Sequence, residues 1–307
     1  MKYLSLFSGI GGFELGIQQA DMCQPECIGY SEIDKYAIQV YNKHFNHKNY
    51  GDITKINEST LPDFDLLVAG FPCQSFSIAG KRGGFNDTRG TLFFDVARIL
   101  KEKQPRLCLL ENVKGLLSHE QGATFRTIIS TLDELGYDCQ WQVLNSKNFG
   151  VPQNRERVFI VGHLRGTSSP EVFPIGGTNR EDTRNVGEDL SYTIDANYSK
   201  GTNTLEKGRR QLIQLNKPKH SNDRVYSEKG ISPTINTMQG GNRQPFIKGD
   251  TAIRKLTPKE CERLQGFPDD WTKEGMDGLL SDTQRYKMCG NSVTVPVIKE
   301  IIKGLIN

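Results

Sequence analysis

The sequence predicts an α/β protein: a mostly parallel twisted sheet flanked by helices, with a smaller loop-rich lobe late in the chain. Three observations carry this. Short apolar runs alternate with helical stretches over the first 165 residues, the pattern of strand–helix–strand units. A glycine turn, Ser8-Gly9-Ile10-Gly11-Gly12, directly follows the first apolar run, where such folds bring backbone close to a ligand. Pro170, Pro174 and the Gly176-Gly177 pair then mark a shift to loop-rich composition, the punctuation expected between lobes.

Residues 3–7, 27–30, 66–69, 107–110 and 158–161 are nearly continuous apolar runs, which is how parallel strands buried on both faces read. Between them, 13–20, 35–45, 92–103 and 123–135 carry apolar residues at helical spacing, so each is expected to cover the sheet with one face. Helical signal returns at 257–265, where Thr257 suits the N-cap and Pro258 the first helical position, and again at 295–306, the last helix returning to the first lobe.

At 307 residues the chain suits one large domain or two modest ones, and 36% hydrophobic with 24% charged residues excludes a disordered tail or a membrane bundle. No apolar run approaches the ~20 residues of a membrane span. Ser8, the glycines and Glu14 break up the N-terminal apolar stretch, so no signal peptide is expected. Seven scattered cysteines point to free thiols in a reducing cytoplasm. Cys23 and Cys27 have three residues between them and no second pair at zinc spacing follows, so no metal is expected.

The net charge of +3 hides an asymmetry: residues 200–248 hold ten Lys/Arg against three acids. That stretch is either a solvated loop-rich insertion or a surface for a polyanion, since clustered cations release counterions from nucleic-acid phosphates.

Glu32 lies twenty residues past Gly12, at the end of the second strand, the place from which an acid binds ribose hydroxyls. An adenosine-containing cofactor is implied. Glu14 stands where a dinucleotide fingerprint wants a small residue, and a carboxylate in a helix's first turn opposes a pyrophosphate at that helix's N-terminus. S-adenosylmethionine, which carries no phosphate, tolerates it.

Gly70-Phe71-Pro72-Cys73-Gln74 follows the third strand directly. Beyond it Ser75, Ser77, Lys81, Arg82 and Arg89 punctuate a polar, glycine-containing loop suited to a phosphate backbone. The fourth strand ends in Glu111-Asn112-Val113, and Gln153-Asn154-Arg155-Glu156-Arg157 precedes the fifth, giving two same-facing arginines. A thiol, a carboxyl and arginines around a cofactor pocket fit methyl transfer to carbon 5 of cytosine. That carbon is a poor nucleophile until a thiolate adds at carbon 6, and a carboxyl near ring nitrogen 3 neutralises the developing charge. Nearby arginine charge favours the thiolate.

Assembled, these segments resemble the C5-cytosine DNA methyltransferase family over almost the full length. The ordered matches are Phe7-Ser8-Gly9-Ile10-Gly11-Gly12, Glu32 with Asp34, Gly51-Asp52-Ile53, the Pro72-Cys73 segment, Glu111-Asn112-Val113 and the 153–157 segment. They continue with Arg254-Lys255-Leu256-Thr257, Gln265-Gly266-Phe267-Pro268 and Gly290-Asn291-Ser292-Val293. The resemblance implies a Rossmann-like S-adenosylmethionine-dependent domain with a smaller target recognition domain. It makes Cys73 the nucleophile and Glu111 the cytosine-binding acid, with Arg155 and Arg157 supporting the site. Phe7, Gly9, Gly11, Glu32, Asp52, Ile53, Pro72, Asn291 and Val293 would serve the cofactor. It also implies a catalytic domain over 1–165, a recognition domain over 166–252, a hinge over 253–284 and a returning C-terminal helix over 285–307.

Thr234-Ile235 looks like the family's Thr-Leu dipeptide with one conservative change, and Ile33 stands where the family often has an aromatic residue. Arg209, Arg210, Arg224 and Arg243 suit guanine and Gln239 and Asn242 adenine, with Thr234 beside them. The implied partner is double-stranded DNA, bound by a cytoplasmic monomer of a bacterial restriction-modification system, with the target base flipped out of the stack. Two rivals use the same core. A tRNA methyltransferase of this kind carries a Cys-Phe-Thr tripeptide, which this sequence lacks. A nicotinamide-dependent oxidoreductase leaves Cys73, Glu111 and the basic lobe without a task.

Overall fold

A computed structural model describes residues 1–20, 25–72, 92–167, 170–175, 214–216, 224–237, 245–248 and 253–306. In chain order, β1 (Lys2–Leu6) leads into α1 (Gly12–Gln19), β2 (Glu26–Ser31) into α2 (Lys35–His44), and β3 (Leu66–Gly70) precedes α3 (Leu92–Lys103). Then come β4 (Leu107–Val113), α4 (Ala123–Glu134), β5 (Tyr137–Asn145), the short β6 (Gln153–Asn154) and β7 (Glu156–Leu164). The six-stranded sheet runs β2-β1-β3-β4-β7-β5. Its first four strands are parallel.

Side-chain alternation explains the helices on both faces. In β3, Leu67 and Ala69 enter the core under α3 and α4 with Val96, Ile99, Leu100, Ile128 and Leu132. Leu66 and Val68 enter the opposite core with Phe13 and Ile17 of α1 and with Ile298, Ile301 and Ile302. The last three belong to α7 (Val295–Ile306), which packs on α1. The approach is close: a Cβ at Gly16 would lie 2.6 Å from Ile298 Cβ.

The sequence reading needs three corrections. Strand β7, expected parallel, runs antiparallel to both β4 and β5. An apolar run buried on both faces carries no direction in its composition; the short link from β5, without room for a helical crossover, sets it. Strand β5 was not foreseen, because as an edge strand it carries Asp138, Gln140 and Gln142 between its apolar residues and so lacks a continuous apolar run. Helix α6 (Asp282–Asn291) was also missed; its sequence DTQRYKMCGN has little apolar periodicity, and burial between neighbours rather than an amphipathic stripe holds it.

After β7 the described residues form a three-stranded sheet, β11-β10-β8, from β8 (Val225–Ser227), β10 (Phe246–Lys248) and β11 (Ile253–Lys255). A two-residue strand, β9 (Ser232–Pro233), pairs with β6. Helix α5 (Pro258–Gln265) starts at a capping box in which Thr257 and Glu260 satisfy each other's backbone N–H groups.

Glu14 corrects the reasoning about phosphate. It is wholly buried, and the Tyr41 hydroxyl donates to its Oε1 at 3.0 Å while Oε2 has no hydrogen-bond partner among the described residues. It faces the interior rather than the helix N-terminus. Burial, opposed by hydrogen bonds from Ser5 and Tyr41, pushes its carboxyl from 4.5 up to about 7. Between those values the folded chain keeps a proton that the unfolded chain has released, so Glu14 subtracts stability increasingly as pH rises through that window. Glu14→Gln is therefore expected to flatten the loss of stability between pH ~5 and ~8, by up to about 3 kcal/mol. Urea midpoints at both ends of that range check this; parallel pH dependence in the two proteins would contradict it.

Candidate active site

A cavity of about 340 Å³ opens beyond the carboxyl ends of β1, β3 and β4, where open α/β sheets bind ligands. Phe7, Gly9 and Gly11 carry the chain from β1 into α1 with φ of 55°, 56° and 87°. At Gly9 an added Cβ would meet nothing within 4 Å, so the positive φ, not crowding, favours glycine there. The Gly9 N–H donates to Glu32 Oε2 at 2.9 Å, while Glu32 Oε1 accepts from the N–H groups of Ile33 at 2.7 Å and Asp34 at 2.8 Å. Glu32 thus ties the glycine turn to the start of α2 and still lines the cavity.

Of the residues expected at the cofactor, the cavity wall gathers Phe7, Gly9, Glu32, Pro72 and Asn291. Gly11, Asp52, Ile53 and Val293 do not line it. Gly11 is the left-handed N-cap of α1. Asp52 accepts from the N–H of Thr54 at 3.0 Å to cap a short helical turn, and Ile53 is buried in the core under α3. Val293 fills the space against Gly12, where a Cβ would come within 2.8 Å of its Cγ2.

Glu111, two residues before the end of β4, sits beside Gly70 in register. Its carboxylate is buried, and Arg157 Nε lies 3.1 Å from its Oε1. Burial raises the Glu111 carboxyl above the ordinary range, with Arg157 and Arg155 pulling the other way. The same burial works against the charge of Arg157, which Glu111 supports. The pair is therefore poised: proton and charge on Glu111 are sensitive to what enters the cavity.

Arg155 lines the cavity but spends its guanidinium on structure. Nη1 donates to the Ile235 carbonyl at 3.2 Å, and Nη2 donates to those of Gly290 at 3.2 Å and Ser292 at 2.9 Å. It joins the start of β7 to the 234–237 segment and the end of α6. Gln153 adds to this knot, donating to the Leu264 carbonyl at 2.8 Å and accepting from the Ile235 N–H at 3.1 Å.

Cys73 lies outside the described residues, as do Ser75, Ser77, Lys81, Arg82, Arg89, Arg209, Arg210, Gln239, Asn242 and Arg243. The chain leading to Cys73 is described. Phe71 is buried, and its carbonyl accepts from Asn112 Nδ2 at 2.9 Å. Asn112 Oδ1 in turn accepts from the Val113 N–H at 2.8 Å, so its amide couples the strand end of Glu111 to the Pro72 turn. Arg224 stands exposed before β8, and the Thr234 hydroxyl donates to the Asn154 carbonyl at 2.6 Å.

Sequence reasoning quoted Asn112 and Asp34 within motifs without giving them work, and passed over Lys287, whose Nζ lies 2.5 Å from Asp34 Oδ2 on the cavity wall. The available signal was its place three residues before Gly290-Asn291. Among the described residues no group of histidines, cysteines and acids could hold a metal, and no helix is long and apolar enough to cross a membrane.

The profile of C-5 cytosine-specific DNA methylases matches residues 1–307. The chain is 42% identical to type II methyltransferase M1.ScrFI of Lactococcus lactis subsp. cremoris, over 99% of this chain and 78% of that protein. It is 37% identical to type II methyltransferase M.HhaI of Haemophilus parahaemolyticus, over 98% and 93%. In fold it is similar to the S. pombe Dnmt2 methyltransferase crystal structure, with a TM-score of 0.73 at 20% identity, over 100% of this chain and 98% of that one. The full-length profile and these identities leave one conclusion: the chain belongs to the C-5 cytosine-specific DNA methylase family.

Proposed function

We propose that this methylase transfers a methyl group from S-adenosylmethionine to carbon 5 of a cytosine within a specific sequence of double-stranded DNA, as the modification enzyme of a restriction-modification system. The observation that carries the reading is the buried Glu111–Arg157 pair, which shares one cavity with Pro72 and Glu32. A nicotinamide enzyme has no use for that pair. Relatives about 40% identical are named as type II methyltransferases, which favours DNA over tRNA.

The cavity suits the cofactor chemically. Among the described residues the Glu32 carboxylate pairs with no cation and accepts only backbone N–H groups, leaving lone pairs for ribose hydroxyls. Its unpaired charge makes that wall hostile to a pyrophosphate but not to a sulfonium, and this replaces the role first given to Glu14. Phe7, Gly9, Glu32, Pro72 and Asn291 would hold S-adenosylmethionine, which when bound supplies an electrophilic methyl group. Ile53 packs in the core with Phe71 and Phe7, and Val293 packs against Gly12, so these two back that wall.

The residues of the chain then divide the work. The Cys73 thiolate adds to carbon 6 of a base flipped out of the duplex. Glu111 delivers a proton at nitrogen 3, so the ring becomes an enamine with electron density on carbon 5. Arg157 holds Glu111 in place and restores its charge balance once that proton has left. After carbon 5 is methylated it gives up its proton to solvent, the thiolate is expelled as the double bond returns, and nitrogen 3 hands its proton back to Glu111. Arg155 keeps 234–237 seated against the site.

Specificity is assigned to the 166–252 region, with Arg209, Arg210, Arg224, Arg243, Gln239, Asn242 and Thr234 as candidates for base contact. Ser75, Ser77, Lys81, Arg82 and Arg89 are assigned to the phosphates. The enzyme would act as a cytoplasmic monomer. Bisulfite sequencing of DNA from cells expressing the chain is expected to reveal one protected sequence context. Methylation of purified tRNA but not duplex DNA would overturn the assignment of substrate.

A further inference from the structure

We infer that Lys287 is a positioning residue of the cofactor pocket: its ammonium holds Asp34, and through Asp34 the Glu32 turn, in the geometry that receives the adenosine end of S-adenosylmethionine. The inference rests on the cofactor proposed above and is independent of the nucleophile.

The two partners come from opposite ends of the chain, yet Lys287 Nζ lies 2.5 Å from Asp34 Oδ2, with the side chains 28% and 24% exposed. Asp34 is committed on every side. Its Oδ1 accepts from the N–H groups of Tyr36 at 2.9 Å and Ala37 at 3.3 Å, capping α2, and its own N–H donates to Glu32 Oε1 at 2.8 Å. Moving Asp34 therefore moves a backbone donor that holds the Glu32 carboxylate. Burial works against the Asp34 charge, but the Lys287 ammonium and the two capping N–H groups outweigh it and hold the carboxyl below its ordinary range.

Lys287 itself stands on fixed ground. Two residues before it, Arg285 pairs with buried Glu262 at 3.0 Å; two residues after it, the Cys289 carbonyl accepts from Gln265 at 2.8 Å. A side chain on so anchored a helix can set the position of a loop. Lys287, Asp34 and Glu32 all line the same cavity, so without the ammonium two neighbouring carboxylates would face the ligand unbalanced. A pair this exposed adds little to global stability, which separates a binding role from a merely structural one.

The test compares full-length wild type with Lys287→Met, Lys287→Arg and Asp34→Asn. Calorimetric titration with S-adenosylhomocysteine measures binding without turnover. Lys287→Met is expected to raise Kd about tenfold, Lys287→Arg to recover most of it, and Lys287→Met to add little on top of Asp34→Asn. The KM for S-adenosylmethionine should rise more than kcat falls, with the melting temperature nearly unchanged. Binding by Lys287→Met equal to wild type overturns the inference, as does weakening that arginine does not rescue and that tracks a loss of melting temperature. A wild type that binds no S-adenosylhomocysteine fails earlier, and it takes the cofactor assignment with it.

Discussion

Cys73→Ser is expected to lose methyl transfer by at least about 10³-fold, since removing a covalent nucleophile removes the step on which the others depend. A serine hydroxyl is almost wholly protonated at neutral pH, whereas a thiol of pKa about 8.5 supplies thiolate readily beside cationic groups. Arg155 and Arg157 bring such charge to the cavity that Pro72 enters. The approach to the thiol is held in place: Phe71 is buried and its carbonyl is bound by Asn112. Wild type should also form an adduct with duplex DNA bearing 5-fluorocytosine at the target, surviving denaturing electrophoresis. The fluorine on carbon 5 cannot leave as a proton does, so the thiolate is never expelled. Cys73→Ser should give no such band. A serine variant with wild-type turnover would remove Cys73 from the reaction.

The sheet and its ligand end were legible because both obey short-range rules. Strands such as β3 are apolar runs, and a glycine turn after β1 with an acid after β2 announces a pocket at their carboxyl ends. Glu111 was legible for the same reason, being the first polar residue after an apolar run. What escaped depends on partners far away in the chain. Lys287 has meaning only beside Asp34, and the Arg155 guanidinium only beside the carbonyls of Ile235, Gly290 and Ser292. Spacing showed two arginines on one side of a strand; only the fold shows that one braces the backbone while the other faces Glu111. The direction of β7 escaped because residues buried on both faces look alike whichever way the chain runs. Glu14 misled because position in a helix's first turn says nothing about which way the carboxylate turns, and here it turns inward to Tyr41.

Glu111→Gln is expected to slow the single-turnover methylation rate by about 10²–10⁴-fold, the usual contribution of a positioned acid, while cofactor affinity stays close to wild type. The amide keeps the shape of the carboxyl and can still hydrogen-bond the base, but it carries no proton to give nitrogen 3. Burial raises the Glu111 carboxyl, against the pull of Arg157 and Arg155, so the wild-type enzyme retains its acid form to higher pH than a free carboxyl would. Its rate should therefore fall as pH rises through that raised value, an arm the glutamine variant lacks. The variant also leaves Arg157 without its counter-charge in a buried site, and breaking such a pair costs roughly 3–5 kcal/mol of stability. Rates must accordingly be compared well below the variant's melting temperature, with folding verified by circular dichroism. A folded Glu111→Gln enzyme with wild-type single-turnover rate and the same pH profile would show that another group protonates the base.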